Sequence, residues 1–250
     1  MPQTTSSIAN NISEIKTLLN EFRNNSGQNE ETVKVLAVSK GQSVEKMTIA
    51  WNSGIHCFGE NYLQEALTKM REIKFQPEWH FIGPVQANKT RDIATHFSWV
   101  HSVDRIRVAR RLSAARAGQP EPLNVCIQVN IDREESKSGV APEAVEALAE
   151  QISELSGLRL RGLMVIPKVR ETLAAQREPF RRTRELLENL KKHSPRLRSL
   201  DTLSMGMSAD MAAALAEGAT IVRVGTGIFG PRDRADGLDD LDDLDDLTDS

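Results

Sequence analysis

VKVLAVSKGQSVEKMTIAWN, residues 33 to 52, holds the unit from which the rest of the chain is assembled. Val33 to Val38 is a short apolar, β-branched run of strand length, and Val44 to Asn52 is an amphipathic stretch of helix length. Between them stand Ser39, Lys40 and Gly41. The same order of strand and then helix recurs as far as Gly230, for eight alternations in all. The further strand candidates are Ile55 to Phe58, Trp79 to Ile82, Trp99 to His101, Leu123 to Val129, Leu160 to Val165, Thr202 to Ser204 and Thr220 to Val224. Helix candidates between them include Leu63 to Ile73, Ile106 to Ala117, Pro142 to Leu155, Glu178 to Lys192 and Ala209 to Ala216. Strict β-then-α order implies a parallel sheet, and eight strands is the number that closes as a (β/α)8 TIM-like barrel. A doubly wound open sheet is the alternative.

Upstream of the first unit, Ile8, Ile12, Ile15, Leu18, Leu19 and Phe22 recur at three- and four-residue spacing, which predicts an extra N-terminal helix over Ser6 to Arg23. Asn24 to Glu31 then breaks the pattern. Downstream, residues 232 to 250 repeat Leu-Asp-Asp and hold nine Asp against two Arg, a net charge of −7, so the body carries +4 within a whole-chain charge of −3. Such a tail buries too little apolar surface to order itself and is expected to be disordered. The expected domains are therefore a barrel over 1–231 and an acidic tail over 232–250.

With 250 residues, 39% of them hydrophobic, the chain can bury one substantial core. No apolar run approaches the roughly 20 residues that span a bilayer. MPQTTSSIAN has neither the basic nor the apolar region of a secretory signal, so a cytoplasmic location is expected. Cys57 and Cys126 lie in separate strand-like runs with no Cys/His metal spacing around them, and are read as buried free thiols. No metal is expected. The body shows no Lys/Arg stripe interleaved with aromatics, which argues against nucleic acid.

The working face of such a barrel is the C-terminal end of its strands. Lys40 closes the first strand candidate there, where partial desolvation would favour a neutral, nucleophilic amine able to form an imine with an aldehyde. The competing reading is an ordinary surface lysine. SMGMSAD, 204 to 210, and VGTGIFG, 224 to 230, follow the seventh and eighth strands, where barrels commonly bind phosphate. Ser208 is expected to cap the following helix and to present a hydroxyl and free N–H groups to an anion. Gly225 and Thr226 would add close-approaching backbone and a second hydroxyl. An ordinary cap and ordinary turns are the alternative. Residues 225 to 230 also spell G-x-G-x-x-G, but they follow the last strand and run into Pro231, unlike a dinucleotide-binding fingerprint. Arg223 interrupts TIVRV. If it faces the barrel interior it needs a partner, either a ligand's pyridine nitrogen or a carboxylate such as Glu60.

AVSK ending at Lys40, FGENYLQE at 58 to 65, WHFIGPVQANKT at 79 to 90, VNIDREESKSGV at 129 to 140, GLMVIP at 162 to 167, SMGMSADM and VRVGTGIFG together resemble the pyridoxal phosphate homeostasis protein family. The likeness runs from about Asn10 to Gly230. It implies a barrel similar to the N-terminal domain of alanine racemase, with pyridoxal 5'-phosphate (PLP) held as a Schiff base on Lys40. By the same resemblance Ser208, Gly225 and Thr226 hold the phosphate, Arg223 faces the ring nitrogen and Asn61 lies beside the cofactor. Gly41 stands where many members have Thr, and Gly227 where Ala is usual. The acidic tail has no counterpart in the family pattern.

The implied function is PLP binding and homeostasis by a monomer, with PLP-dependent apo-enzymes as candidate recipients and with no catalytic residue assigned. The alternative is an inefficient amino-acid racemase. Two-base racemisation needs an acid/base on each face of the substrate carbon, and alanine racemase takes its second, a tyrosine, from an added domain that nothing here can form. Tyr62 is the chain's one tyrosine, and packing is its expected role. His80 and His101 lie in strand-like runs and are read as satisfied core histidines. The segment Glu134 to Gly139 is a candidate to close over the ligand.

Overall fold

The computed structural model describes residues 2–26 and 33–231. The expected disordered tail over 232–250 and most of the expected break before the first strand lie outside the described residues.

Eight strands form one closed, all-parallel barrel in chain order: β1 Lys34–Val38, β2 Cys57–Glu60, β3 Glu78–Phe81, β4 Trp99–Val103, β5 Leu123–Gln128, β6 Leu158–Met164, β7 Thr202–Ser204 and β8 Ile221–Val224. Closure is made by β8 on β1, with Leu36 opposite Arg223 and Ala37 opposite Val224. This settles the choice between barrel and open sheet in favour of the barrel.

Alternation along each strand sends neighbouring side chains to opposite faces. Outward residues such as Ala37, Phe58, Phe81, Val125, Leu163 and Val222 join the helices in one large apolar core. The inward set Leu36, Cys57, Trp99, Cys126, Met164 and Ile221 forms a second, smaller cluster inside the barrel. Each fully buried large side chain contributes about 1.5–3 kcal/mol, so most of the stability resides in the outer layer.

Around the strands lie α2 Val44–Asn52, α3 Leu63–Glu72, α4 Thr90–His96, α5 Ile106–Arg116, α6 Val145–Ser153, α7 Leu173–His193, α8 Met211–Ala216 and α9 Thr226–Phe229. Before them, α1 spans Pro2–Ser26, longer than its apolar stripe. It buries Ile8, Ile12 and Ile15 against the barrel's helical layer. Asn11 Nδ2 donates to the Ile228 carbonyl at 3.0 Å and Lys16 Nζ to the Ser53 carbonyl at 2.9 Å, so α1 bridges the last and first helices of the ring. Among the described residues no helix is long and apolar enough to cross a membrane.

Candidate functional site

At the C-terminal ends of β7, β8, β1 and β2, which are consecutive around the barrel, the structure gathers Ser208, Arg223, Gly225, Thr226, Lys40 and Asn61. A Cβ built on Gly225 would stand 3.5 Å from Val38 Cβ, so the end of β8 lies directly against the end of β1, two residues before Lys40. On the other side, a Cβ on Gly227 would stand 2.8 Å from Ser208 Oγ, which places the Ser208 hydroxyl over the backbone that follows β8. The two expected anion loops therefore converge. Lys40 and Asn61 are both half-buried.

Two expectations about these loops need correcting. Ser208 does not cap a helix: residues 208–210 form a turn, and α8 begins at Met211 after Asp210. The reason is local competition. The Asp210 carboxylate accepts from Met207 N–H at 2.6 Å, and Asp210 N–H donates to the Met207 carbonyl at 3.1 Å, closing a turn before helical geometry starts. Nor is the glycine-bearing segment after β8 only a loop, because Thr226–Phe229 makes one helical turn, with the Ile228 and Phe229 amides bonded to the Gly225 carbonyl. The N–H groups of Thr226 and Gly227 open that turn and have no intrahelical acceptor.

The turn carrying Lys40 is clamped from below by three charges, of which the sequence reading names only Glu60, and with a different partner. Lys69, on α3 and 7% exposed, donates to the Ser39 carbonyl at 2.5 Å, to Glu60 Oε1 at 2.8 Å and to Glu65 Oε1 at 2.5 Å. Ser39 Oγ donates to Glu60 Oε1 at 2.6 Å, and Gly41 N–H to Glu65 Oε1 at 2.6 Å. Both neighbours of Lys40 are thus fixed. Burial pushes the Glu60 carboxyl up to about 7, with Lys69 pulling the other way. Its second oxygen is buried without a hydrogen-bond partner. The i,i+4 spacing of Glu65 and Lys69 on a helix was the available signal for this pair.

Arg223 does face the interior, 4% exposed, but Glu60 is not its partner. Its guanidinium donates to the Ser204 carbonyl at 2.6 Å, to Ser204 Oγ at 2.9 Å and to the Val165 carbonyl at 2.9 Å. Burial lowers its pKa to about 10, still a permanent cation at neutral pH. From Ser204 a hydrogen-bonded chain continues across the barrel: Ser204 Oγ to His101 Nδ1 at 2.7 Å, His101 Nε2 to His80 Nδ1 at 2.8 Å, and His80 Nε2 to Glu78 Oε1 at 2.7 Å. Lys34 Nζ donates to the same Glu78 oxygen at 2.8 Å.

Because Arg223 only donates and an ionised Glu78 only accepts, one consistent assignment runs every proton from Arg223 toward Glu78, with both rings neutral. Burial lowers the pKa of His80 and takes that of His101 well below its ordinary value. For Glu78, burial pushes upward, but the hydrogen bonds from His80 and Lys34 outweigh it and bring the carboxyl to about 2. The two histidines are satisfied core groups, as expected. Cys57 and Cys126 are buried free thiols, raised by burial to about 11 and about 12.

The remaining candidates sit to the side. Tyr62 precedes α3, half-buried, at its N-cap position. The Glu134–Gly139 segment is held on its own strand end: Asn130 Nδ2 donates to the Glu134 carbonyl at 2.7 Å, and Glu134 N–H to Asn130 Oδ1 at 2.9 Å.

The model of the alanine racemase N-terminal domain family matches residues 5–233. A protein of Pseudomonas aeruginosa named pyridoxal phosphate homeostasis protein is 52% identical over 229 residues, covering 91% of this chain and 97% of that protein. Its namesake in Escherichia coli K12 is 44% identical, covering 90% and 97%. Among solved structures, PipY of Synechococcus elongatus, with PLP bound, is 35% identical at a TM-score of 0.78, covering 89% of this chain and all of that one. Alanine racemase of Corynebacterium glutamicum is 16% identical at a TM-score of 0.68, covering 91% of this chain and 62% of that one, a likeness of fold alone.

Proposed function

The chain belongs to the pyridoxal phosphate homeostasis protein family, on an alanine racemase N-terminal barrel, and from that premise we propose that it binds and buffers pyridoxal 5'-phosphate rather than turning over amino acids. The observation that carries this reading is the convergence of an amine, two hydroxyls, helix-start amides without an intrahelical acceptor and a buried guanidinium on one arc of strand ends. These groups fit the cofactor. Lys40 Nζ would be the amine that holds the aldehyde as an imine, its condensation releasing water. The Ser208 and Thr226 hydroxyls and the amides after Gly225 suit a phosphate dianion. Arg223 would donate to the pyridine nitrogen, and Asn61 would lie beside the ring.

When bound, the cofactor supplies an electron-withdrawing ring and a masked aldehyde. A guanidinium never releases its proton at working pH, so it leaves the ring nitrogen unprotonated and the ring a weak electron sink. This favours holding over catalysis. The racemase reading lacks a second base among the groups proposed for it: His80 and His101 are fully buried and already bonded, and Tyr62 stands at a helix start. The same proposal places a monomer in the cytoplasm, with a cofactor-binding domain over 1–231, an appended acidic tail over 232–250, and PLP-dependent apo-enzymes as recipients. Two buried unpaired thiols suit a reducing compartment.

The test is the absorbance spectrum of the reconstituted protein and of Lys40→Ala, followed by D- and L-alanine in deuterium oxide. A long-wavelength band that disappears in the variant, with no α-proton exchange, is expected. Exchange at a useful rate would favour the racemase, and no band in the wild type would overturn the Lys40 assignment.

A further inference from the structure

At the opposite, N-terminal end of the barrel, Cys57 and Glu78 are register partners on β2 and β3, and His80 follows Glu78 by two residues on the same inward face. A thiol sulfur, a carboxylate oxygen and a ring nitrogen from these three all lie within 4.8 Å of one another, the one such group of three or more among the described residues. We propose that Cys57, Glu78 and His80 form a binding site for a divalent transition metal of the zinc class, separate from the cofactor mouth.

The donor set is the first argument. Thiolate, imidazole and carboxylate are the three side chains zinc takes, and three protein ligands leave the fourth tetrahedral position to water. Metal–ligand bonds of about 2.0–2.3 Å bring tetrahedral ligands within about 3.5 Å of each other, so side-chain rotation of under 2 Å suffices from the observed spread, with the strand backbone left in place.

The second argument is support around the ligands. His80 is fully buried, and its ring stacks on Trp99 with centroids 5.3 Å apart and planes 4° from parallel. Its Nδ1 is held 2.8 Å from His101 Nε2, which leaves Nε2 directed at Glu78. A ligating histidine normally has its far nitrogen fixed in this way. With a metal on Nε2, the His80 ring proton moves to Nδ1, and His101 changes tautomer to accept it, its own proton passing from Nε2 to Nδ1, where it is donated to the Ser204 hydroxyl oxygen.

The third argument is a route in. The side chains of Glu78 and Lys34 are 35% and 34% exposed, so the cluster opens to solvent on the side away from Lys40. In the metal-free state the Lys34 ammonium, 2.8 Å from Glu78, holds the place of the cation. Binding displaces that ammonium and releases the Cys57 thiol proton, and the resulting thiolate and carboxylate balance the charge of a divalent ion.

The full chain is titrated with zinc against a chromophoric chelator, and with cobalt while a sulfur-to-metal charge-transfer band is followed. One zinc per chain is expected. Cys57→Ser is expected to abolish the cobalt band and to weaken zinc more than about 100-fold, beyond the loss typical of an outer-shell change. Lys34→Met, which removes the competing ammonium, is expected to bind about tenfold more tightly. Glu78→Gln, on the solvent side, gives a second reading of ligand loss should serine at 57 impair folding. Absence of zinc binding in the wild type, or wild-type affinity in both Cys57→Ser and Glu78→Gln, overturns the proposal.

Discussion

Replacing Lys69 with methionine removes the one cation that serves two carboxylates and the Ser39 carbonyl beneath the Lys40 turn. Stripping one partner from a buried ion pair typically costs about 3–5 kcal/mol, because the remaining charge is left uncompensated. Glu60 has an escape, since its carboxyl already sits at about 7 against an ordinary 4.5 and can take up a proton. A carboxyl whose folded pKa lies above its unfolded one stabilises fully below the unfolded value, and that contribution is lost as pH rises through the folded value. In the wild type the loss runs from about 4.5 to about 7. Without Lys69 the folded value climbs further, so the loss continues above pH 7. We therefore expect Lys69→Met to cost about 3 kcal/mol at pH 8 and clearly less at pH 6, measured by urea unfolding at both. Adding Glu60→Gln should restore more than half of the loss at pH 8. A cost under about 1 kcal/mol at pH 8, or one that does not change between the two pH values, would refute the reasoning.

Other variants probe the interior and the loops. His101→Phe keeps a ring but removes both nitrogens, leaving His80 Nδ1 and the Ser204 hydroxyl without that partner. At about 1–3 kcal/mol for each of the two unsatisfied buried groups, unfolding should move by about 2–6 kcal/mol, and a shift below about 1 would mean the chain is replaceable by packing. Two glycines should behave differently on substitution by alanine. A Cβ at Gly162 would lie 1.8 Å from the Thr202 carbonyl oxygen, backbone of a paired strand that cannot step aside, so Gly162→Ala should lower the melting temperature sharply or prevent folding. At Gly227 the nearest atoms belong to side chains, Ser208 Oγ at 2.8 Å and Val224 Cγ1 at 2.9 Å, which must shift but are not backbone, so Gly227→Ala should cost about 1–3 kcal/mol, well below the cost at Gly162. Equal effects in a thermal melt would show that backbone and side-chain neighbours yield alike.

The strand pattern was legible because every strand is brief, apolar and bracketed by polar residues, and all eight lie within two residues of their expected ends. α4 escaped notice because Thr90–His96 is too short to display a helical period, with Ile93 and Ala94 as its buried apolar residues. α9 was hidden by the glycines at 225, 227 and 230, which favour a loop in isolation but here pack as one turn. The positions of Lys40, Asn61, Arg223, Gly225 and Thr226 could be read because a parallel barrel sends all strand ends to one face. Their supports could not. His101 and Ser204 meet across 103 residues of chain, and Ser39 and Lys69 across 30, contacts that only barrel closure and helix placement create.

The barrel interior separates what stability requires from what the site requires. Outward strand residues and helices already form one continuous apolar core, so the small inward cluster around Leu36, Cys126 and Met164 is not where most of the folding energy lies. Into that space the chain threads Lys34, Glu78, His80, His101, Ser204 and Arg223, all hydrogen-bonded in series. Well-packed apolar residues in place of a buried polar network are often as stable or more so. The series is therefore poorly explained as a stabilising device. Its members share one consequence: Ser204, held by His101, offers two oxygens to the Arg223 guanidinium, and Val165 offers a third. A long, flexible side chain is thereby fixed at the inner wall beneath the strand ends where Lys40, Ser208 and Thr226 converge. On the proposed function such a fixed orientation is what donation to a ring nitrogen, whose lone pair lies in the plane of the ring, would require, and a carboxylate anchor such as Glu60 would have drawn the guanidinium away from it.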